Sequence, residues 1–151
     1  MPRGELKMTE FKLVLGAKDG KSYQKEIKSP EADELLKKRV GDTISGNPLG
    51  FAGYEFQITG GSDKCGFPMR KGIQEARKRV LISGGVGFCG KKRKLRKNSK
   101  KRTMQNGLLK RRTVCGEMIT KIIHQVNMKV LKEGAKGLGE APVEAATPAE
   151  Q

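Results

Sequence analysis

Twelve cations within 22 residues form the main chemical feature of this sequence. The stretch from Lys91 to Arg112 contains twelve Lys or Arg and no Asp or Glu. Five more cations lie between Arg70 and Arg79, beside the single acid Glu75, so residues 70–112 carry +16, the formal net charge of the whole chain. Soluble surfaces usually mix both signs. A long block of one sign therefore predicts binding to a polyphosphate, that is, to nucleic acid.

The side chains expected to contact phosphate lie in this block and just before it. Lys and Arg bind phosphate oxygens, whereas stacking on bases requires aromatic side chains. All seven aromatic residues lie outside Lys91–Arg112, which favours phosphate contact there. The predicted contacts are Lys64, Arg70, Lys71, Arg77, Lys78, Lys91, Lys92, Arg93, Lys94, Arg96, Lys97, Lys100, Lys101, Arg102, Lys110, Arg111 and Arg112.

A glycine motif before the basic stretch suggests nucleotide chemistry and fails on inspection. Residues Gly85 to Gly90 spell G-x-G-x-x-G, and the following lysines bring the string close to a phosphate loop. Lys92 stands where that loop needs a hydroxyl for Mg²⁺, and no acid follows before Glu117 to bind a ribose. The segment after it, KKRKLRKNSKKR, has Leu95 as its only apolar residue and cannot pack as a helix on a sheet. We expect neither nucleotide binding nor enzymatic activity.

The cysteines and the single histidine predict no metal site and no other cofactor. Cys65, Cys89 and Cys115 are far apart, without the close cysteine pairs of structural zinc sites. His124 has no nucleophile marked near it. No window approaches a membrane span and no signal peptide opens the chain, so we expect reduced thiols and a cytosolic protein without membrane contact.

The elements that must position these residues are predicted to be short. Phe11, Leu13 and Leu15 alternate with polar or small residues, Asp19-Gly20 signals a turn, and Tyr23–Lys28 returns as a second strand. Ser29 and Pro30 predict a helix from Pro30 to about Arg39.

Further strands follow along the chain. Tyr54, Phe56 and Ile58 alternate, Arg79–Ser83 is a short apolar run, and Thr113–Cys115 forms another candidate. From Glu117 the pattern fits both a helix and a strand; we expect a short helix through His124 and then a strand from Gln125 to Leu131.

The predicted fold is therefore mainly β: a small barrel or curled sheet with one or two short helices. A loose extension (1–8) precedes a β-rich RNA-binding domain (9–90 and 113–133), into which a basic arm (91–112) is inserted. Residues 134–151 are rich in Gly, Ala, Pro, Glu and Thr, which predicts a disordered tail.

The loop from Thr59 to Ile73, TGGSDKCGFPMRKGI, has two readings. It could be an ordinary hairpin connection. Alternatively, it could dock against an RNA backbone, with Lys64, Arg70 and Lys71 as phosphate donors.

This loop also carries a family resemblance. TGGSDKCGFPMRKGI resembles the signature of small-subunit ribosomal protein six of archaea and eukaryotes, and the likeness extends to GDTISGNPLGFAGYEFQI, LISGGVGF and LKRRTVCGEMITKIIHQVNMKVLKEG. It covers about residues 11–134. Two departures stand out: Cys115 replaces the usual Arg of Val-Arg-Gly, which would remove a phosphate contact, and the segment from Lys94 to Gln105 is longer than usual.

The resemblance implies a β-barrel-like structural component of the small ribosomal subunit, in the short archaeal form. Its implied partners are small-subunit ribosomal RNA and neighbouring ribosomal proteins, with the ribosome in the cytoplasm as its location. A free-standing RNA-binding or ribosome-assembly factor is the alternative.

Overall fold

The computed structural model describes residues 9–93, 102–104, 107–134 and 137–138, and shows only the backbone of 92–93 and 102–104. Its strands are β1 (Glu10–Gly16), β2 (Ser22–Lys28), β3 (Thr43–Ser45), β4 (Glu55–Asp63), β5 (Arg77–Ile82), β6 (Lys91–Arg93), β7 (Arg102–Met104), β8 (Lys110–Cys115) and β9 (Ile123–Lys132). Two single-turn 3₁₀ helices cover Glu31–Leu35 and Asn47–Leu49. The mainly-β prediction is confirmed.

Five strands form one mixed sheet in the order β2-β1-β9-β4-β3. The predicted hairpin is confirmed: β1 and β2 are antiparallel, with Phe11 opposite Ile27. The long strand β9 lies in the centre, parallel to β1 and antiparallel to β4. β9 therefore connects the two halves of the sheet, with β1 and β2 on one side and β4 and β3 on the other.

The main core lies against one face of this sheet. The alternating residues of β1, β4 and β9 are buried, as period-2 burial of a one-sided sheet requires. The fully buried side chains include Phe11, Leu13, Leu15, Phe56, Ile58 and Val126. Burying such side chains contributes about 1.5–3 kcal/mol each, and this burial favours folding of the sheet.

A separate two-stranded ribbon is formed by β5 and β8, which pair antiparallel from Arg77↔Cys115 to Ile82↔Lys110. It has a small core of its own, made of Ile73, Ile82, Phe88 and Val114. Both predicted strands are confirmed, and each begins earlier than expected. Lys110 to Arg112, predicted as the end of the arm, are therefore part of β8.

The prediction of a helix from Pro30 to Arg39 is wrong beyond its first turn. Leu36 is extended and Lys37 has a positive φ of 67°. The backbone here pairs with another segment instead: the amide of Lys37 donates to the Ile119 carbonyl (3.0 Å) and that of Val40 to the Glu117 carbonyl (3.0 Å). These bonds replace those that a continuing helix would make along its own axis.

The predicted helix ending at His124 is also wrong. Residues 117–122 form no helix, only a turn closed by the Ile123 amide and the Thr120 carbonyl (3.0 Å), and β9 begins at Ile123 and includes His124. Ile119 is buried in the main core whereas Ile122 is exposed, so the two do not share a face. The same bonds to residues 37–40 account for the difference, because they hold this segment extended.

The basic stretch begins and ends in strands. β6 and β7 pair antiparallel, with Lys91 opposite Met104. Predicted contacts Lys94, Arg96, Lys97, Lys100 and Lys101 lie outside the described residues, as do the extension 1–8 and most of the tail. Of the predicted tail, Gly134, Gly137 and Leu138 are described, and Leu138 packs against the main core. No helix in the described ranges is long and apolar enough to cross a membrane.

Candidate nucleic-acid interface

The loop from Thr59 to Ile73, called the signature loop below, joins the five-stranded sheet to the ribbon. The amide of Met69 donates to the Gly61 carbonyl on β4 (2.9 Å), and that of Cys115 on β8 donates to the Pro68 carbonyl (2.9 Å). Met69 is buried in the main core. The first third of the predicted loop, Thr59–Asp63, is the end of β4. The loop is therefore a structural connector, with its charged side chains placed around it.

Asp63 is the buried charge on which this junction is centred. Its side chain accepts bonds from the Phe67 amide (2.9 Å), the Arg77 Nε (2.7 Å) and the Cys115 thiol (3.3 Å). Burial would raise the pKa of Asp63, but these three donors together hold that pKa below its usual value. The aspartate is thus ionised and forms an ion pair with Arg77.

Cys115 is buried beside the same carboxylate. Burial, followed by the nearby charge of Asp63, raises the pKa of this thiol to about 11. The Cys115 side chain is fully buried and faces the protein interior, and the loss of a phosphate contact at this position stays a prediction. Here Arg77 supplies the guanidinium that faces Asp63.

The ribbon has an inner and an outer face, because side chains alternate along each strand and directly opposite residues share a face. Ile82 and Val114 belong to the inner face, which covers the small core. Arg79, Leu81 and Arg111 belong to the outer face. Neither strand contains an acid, so both faces are positive.

Four predicted cations already have partners within the protein. The Arg70 guanidinium donates to the Val86 carbonyl (2.7 Å) and fixes the glycine-rich loop. Arg77 binds Asp63. Lys78 pairs with Glu75 at 2.5 Å, and Lys110 Nζ lies 5.8 Å from the Phe88 ring centroid. These cations stabilise the ribbon and its loops, and only their remaining exposed donors can meet a ligand.

A second group of cations is exposed and forms no ion pair with any described residue. Its predicted members are Lys64, Lys71, Lys91, Arg111 and Arg112. Arg79 belongs with them and was missed by the sequence analysis. The predicted strand began at Arg79, whereas β5 begins at Arg77, and only this earlier start places Arg79 on the same face as Arg77. The side chains of Lys92, Arg93 and Arg102 are not among those described.

The other candidate chemistry finds little support in the geometry. The glycine motif leads into strand β6 where a nucleotide-binding loop requires a helix. Cys65 and Cys89 are exposed free thiols. Within the described ranges no three His, Cys, Asp or Glu side chains come close enough to hold a metal ion.

Comparison with known proteins identifies the family. The profile described as Ribosomal protein S6e matches residues 11–142. "Small ribosomal subunit protein eS6" of Archaeoglobus fulgidus is 41% identical over 134 residues, which cover 87% of this chain and 94% of that protein. Its namesakes in Methanococcus maripaludis (41%; 87% and 95% covered) and Methanoculleus marisnigri (38%; 88% and 92% covered) are similar. These matches confirm the predicted archaeal-type relationship, and the chain belongs to the ribosomal protein S6e family.

Proposed function

We propose that this protein is a structural, non-catalytic component of the small ribosomal subunit that binds ribosomal RNA through the ribbon, the adjoining loop and the basic stretch. The relatives are named as small-subunit proteins, which supports the placement. The location would be the ribosome in the cytoplasm, with neighbouring ribosomal proteins as further partners.

The proposal rests on the division of the cations into two groups, those with partners inside the protein and those that are exposed and unpaired among the described residues. Cations with internal partners hold the junction and the ribbon together, whereas Arg79, Arg111 and Arg112 on the paired strands are exposed and meet no acid. Unpaired arginines held on a rigid element are suited to phosphate, because the planar guanidinium donates two parallel hydrogen bonds. The predicted contacts of the basic stretch would add positive charge in the segment that connects β5 to β8 in the chain.

Salt dependence of binding tests this assignment. We expect the protein to bind small-subunit rRNA with an affinity that falls steeply with KCl concentration. Changing Arg79, Arg111 and Arg112 to Gln should lower the slope of log K against log[salt] by about 0.7–0.9 per lost contact. The control changes Lys21, Lys38 and Lys129, three exposed cations outside the ribbon, to Gln. Equal effects of the two triple variants would show that only net charge matters.

Sedimentation separates this function from the alternative of a free-standing RNA-binding or assembly factor. A structural component should stay with small subunits through a high-salt wash in a stoichiometric amount. An assembly factor should be released into the supernatant. The wash therefore distinguishes a structural component from an assembly factor, even though a protein with either function would bind rRNA.

A further inference from the structure

The outer face of the ribbon exposes two leucines between arginines. Leu81 is 58% exposed and lies directly opposite Arg111 on β8, with Arg79 two residues away on its own strand. Leu109 is 51% exposed. Leu108 packs on the small core and Lys110 lies over Phe88, so Leu109 between them is on the outer side.

The ribbon's inner face is covered along its length, whereas its outer face is covered only at the Arg77–Cys115 end, where Cys115 joins the main core. The small core takes up Ile82, Val114 and the partly buried Val80 from the inner face. The two leucines outside have no such cover among the described residues. Aliphatic side chains placed in a strongly positive surface point to a ligand that offers phosphates together with a surface of lower polarity.

We propose that the outer face of the ribbon, with Leu81 near the end of β5 and Leu109 beside the start of β8, docks in the minor groove of an A-form RNA helix. The proposal rests on the proposed function and specifies the form of RNA that this surface takes. The A-form minor groove is wide and shallow, and it presents riboses between two phosphate rows. The leucines would lie on the riboses, while Arg79 and Arg111 would reach the phosphates.

The composition of the face favours a duplex over single-stranded RNA. Recognition of single strands relies on aromatic rings that stack on unpaired bases. The strands of the ribbon contain no aromatic residue. A two-stranded face with arginine and aliphatic side chains instead recognises shape and phosphates, which suits a regular helix.

Binding to three matched probes tests the proposal. The probes are a synthetic RNA duplex, one of its strands alone, and a DNA duplex of the same sequence, measured by fluorescence anisotropy over a series of KCl concentrations. The variants are Leu81→Gln with Leu109→Gln, and Arg79→Gln with Arg111→Gln. The control is Ile122→Gln with Leu131→Gln, two exposed apolar residues outside the ribbon (43% and 37% exposed).

We expect the native protein to prefer the RNA duplex. The leucine variant should lose about tenfold in affinity for that probe with an unchanged salt slope, because buried apolar area is insensitive to salt. The arginine variant should instead show a lower slope, by about 0.9 per lost phosphate contact. The control should bind as the native protein does.

Three results would overturn the proposal. One is a leucine variant that binds the RNA duplex like the native protein, and another is equal weakening on all three probes. The third is a leucine variant that binds rRNA normally but is washed from small subunits, since this would show that the face docks a protein. If the native protein itself failed to bind small-subunit rRNA, the proposed function would fail, a result separate from all three.

Discussion

Asp63 and Arg77 show how one acid changes the role of a cation. Sequence analysis placed Arg77 among the phosphate contacts, yet its guanidinium is bonded to a carboxylate that is only 3% exposed. A buried carboxylate without its donors is costly, so the pair must be preserved for the junction to fold. The main role of Arg77 is consequently to stabilise the fold, and phosphate binding is secondary.

Replacing Asp63 with Asn should therefore destabilise the fold. The amide places donors where three donors now converge, and we expect a loss of about 1–3 kcal/mol in the free energy of unfolding. Urea unfolding followed by circular dichroism measures it. Asp33→Asn is the control, because this exposed carboxylate accepts a hydrogen bond from the Ser29 hydroxyl, and it should change stability by less than about 0.5 kcal/mol.

The same carboxylate predicts an acid limit of stability. The pKa of Asp63 is lowered in the folded protein, so the unfolded chain binds the proton more readily. The stabilisation is complete above the unfolded pKa of about 3.9 and is lost as pH falls through the lower folded value. Unfolding free energies measured from pH 6 to pH 2 should fall more steeply for the native protein than for Asp63→Asn.

Cys115 predicts the opposite limit at alkaline pH. Its pKa rises to about 11 in the folded protein, so the stabilisation is complete below an unfolded pKa near 9 and is lost as pH rises towards 11. The loss should be on the order of 2 kcal/mol. Cys115→Ser, which does not ionise in this range, should show a flatter profile between pH 8 and pH 11. Parallel profiles would contradict a buried thiol.

At the scale of elements, the approach of β4 to its neighbours depends on Gly61. A Cβ at this position would collide with the Gln125 carbonyl of β9 and contact the Met69 sulfur, whereas one at Gly60 would meet nothing. Gly61 thus allows the signature loop to lie against the sheet where β4 pairs with β9.

Gly61→Ala should consequently cost about 1–3 kcal/mol, because the strand and the loop must separate to admit the methyl group. Gly60→Ala, the neighbouring control, should be neutral or stabilising by about 0.4–1 kcal/mol through the unfolded chain. Thermal melts of the two variants measure the contrast. Equal melting temperatures would show that the junction adapts at little cost.

For the whole molecule, the net positive charge lies outside the five-stranded sheet, in residues 70–112 (the basic part). Ion pairs such as Lys12–Glu26 (3.0 Å) and Lys132–Glu55 (2.6 Å) balance the sheet surface, whereas residues 70–112 carry the entire net charge of +16. Exposed pairs of this kind add little stability. Their effect is to leave the basic part as the one strongly positive region, which orients the protein on a polyanion.

Neutralising the centre of the basic stretch should separate folding from binding. We expect Gln at Lys94, Arg96, Lys97, Lys100 and Lys101 to reduce rRNA affinity at low salt and to lower the salt slope, since fewer counterions are released. The melting temperature of the free protein should stay the same or rise, because like charges repel. A fall of several degrees would mean that these cations stabilise the free fold.

The local sequence pattern was sufficient to predict many of the strands, the basic block and the family of this protein. Alternating apolar residues predicted β1 and the strand around Phe56, because a strand buried on one face imprints its period directly on the sequence. The ribbon strands were predicted instead from a short apolar run and from the β-prone residues 113–115. The basic block was visible in composition alone. The family could also be identified from one contiguous loop, TGGSDKCGFPMRKGI.

Tertiary structure decided what local pattern could not. Residues 37–40 and 117–119 lie within segments that have helical signals, yet they are not helical because their backbones hydrogen-bond to each other across the fold. Likewise, Arg77 and Arg79 are equivalent in sequence, and only the distant Asp63 separates the stabilising cation from the exposed one. Sequence determines which groups can bond, but long-range packing selects among partners, because each donor is satisfied by whichever acceptor the fold brings within reach.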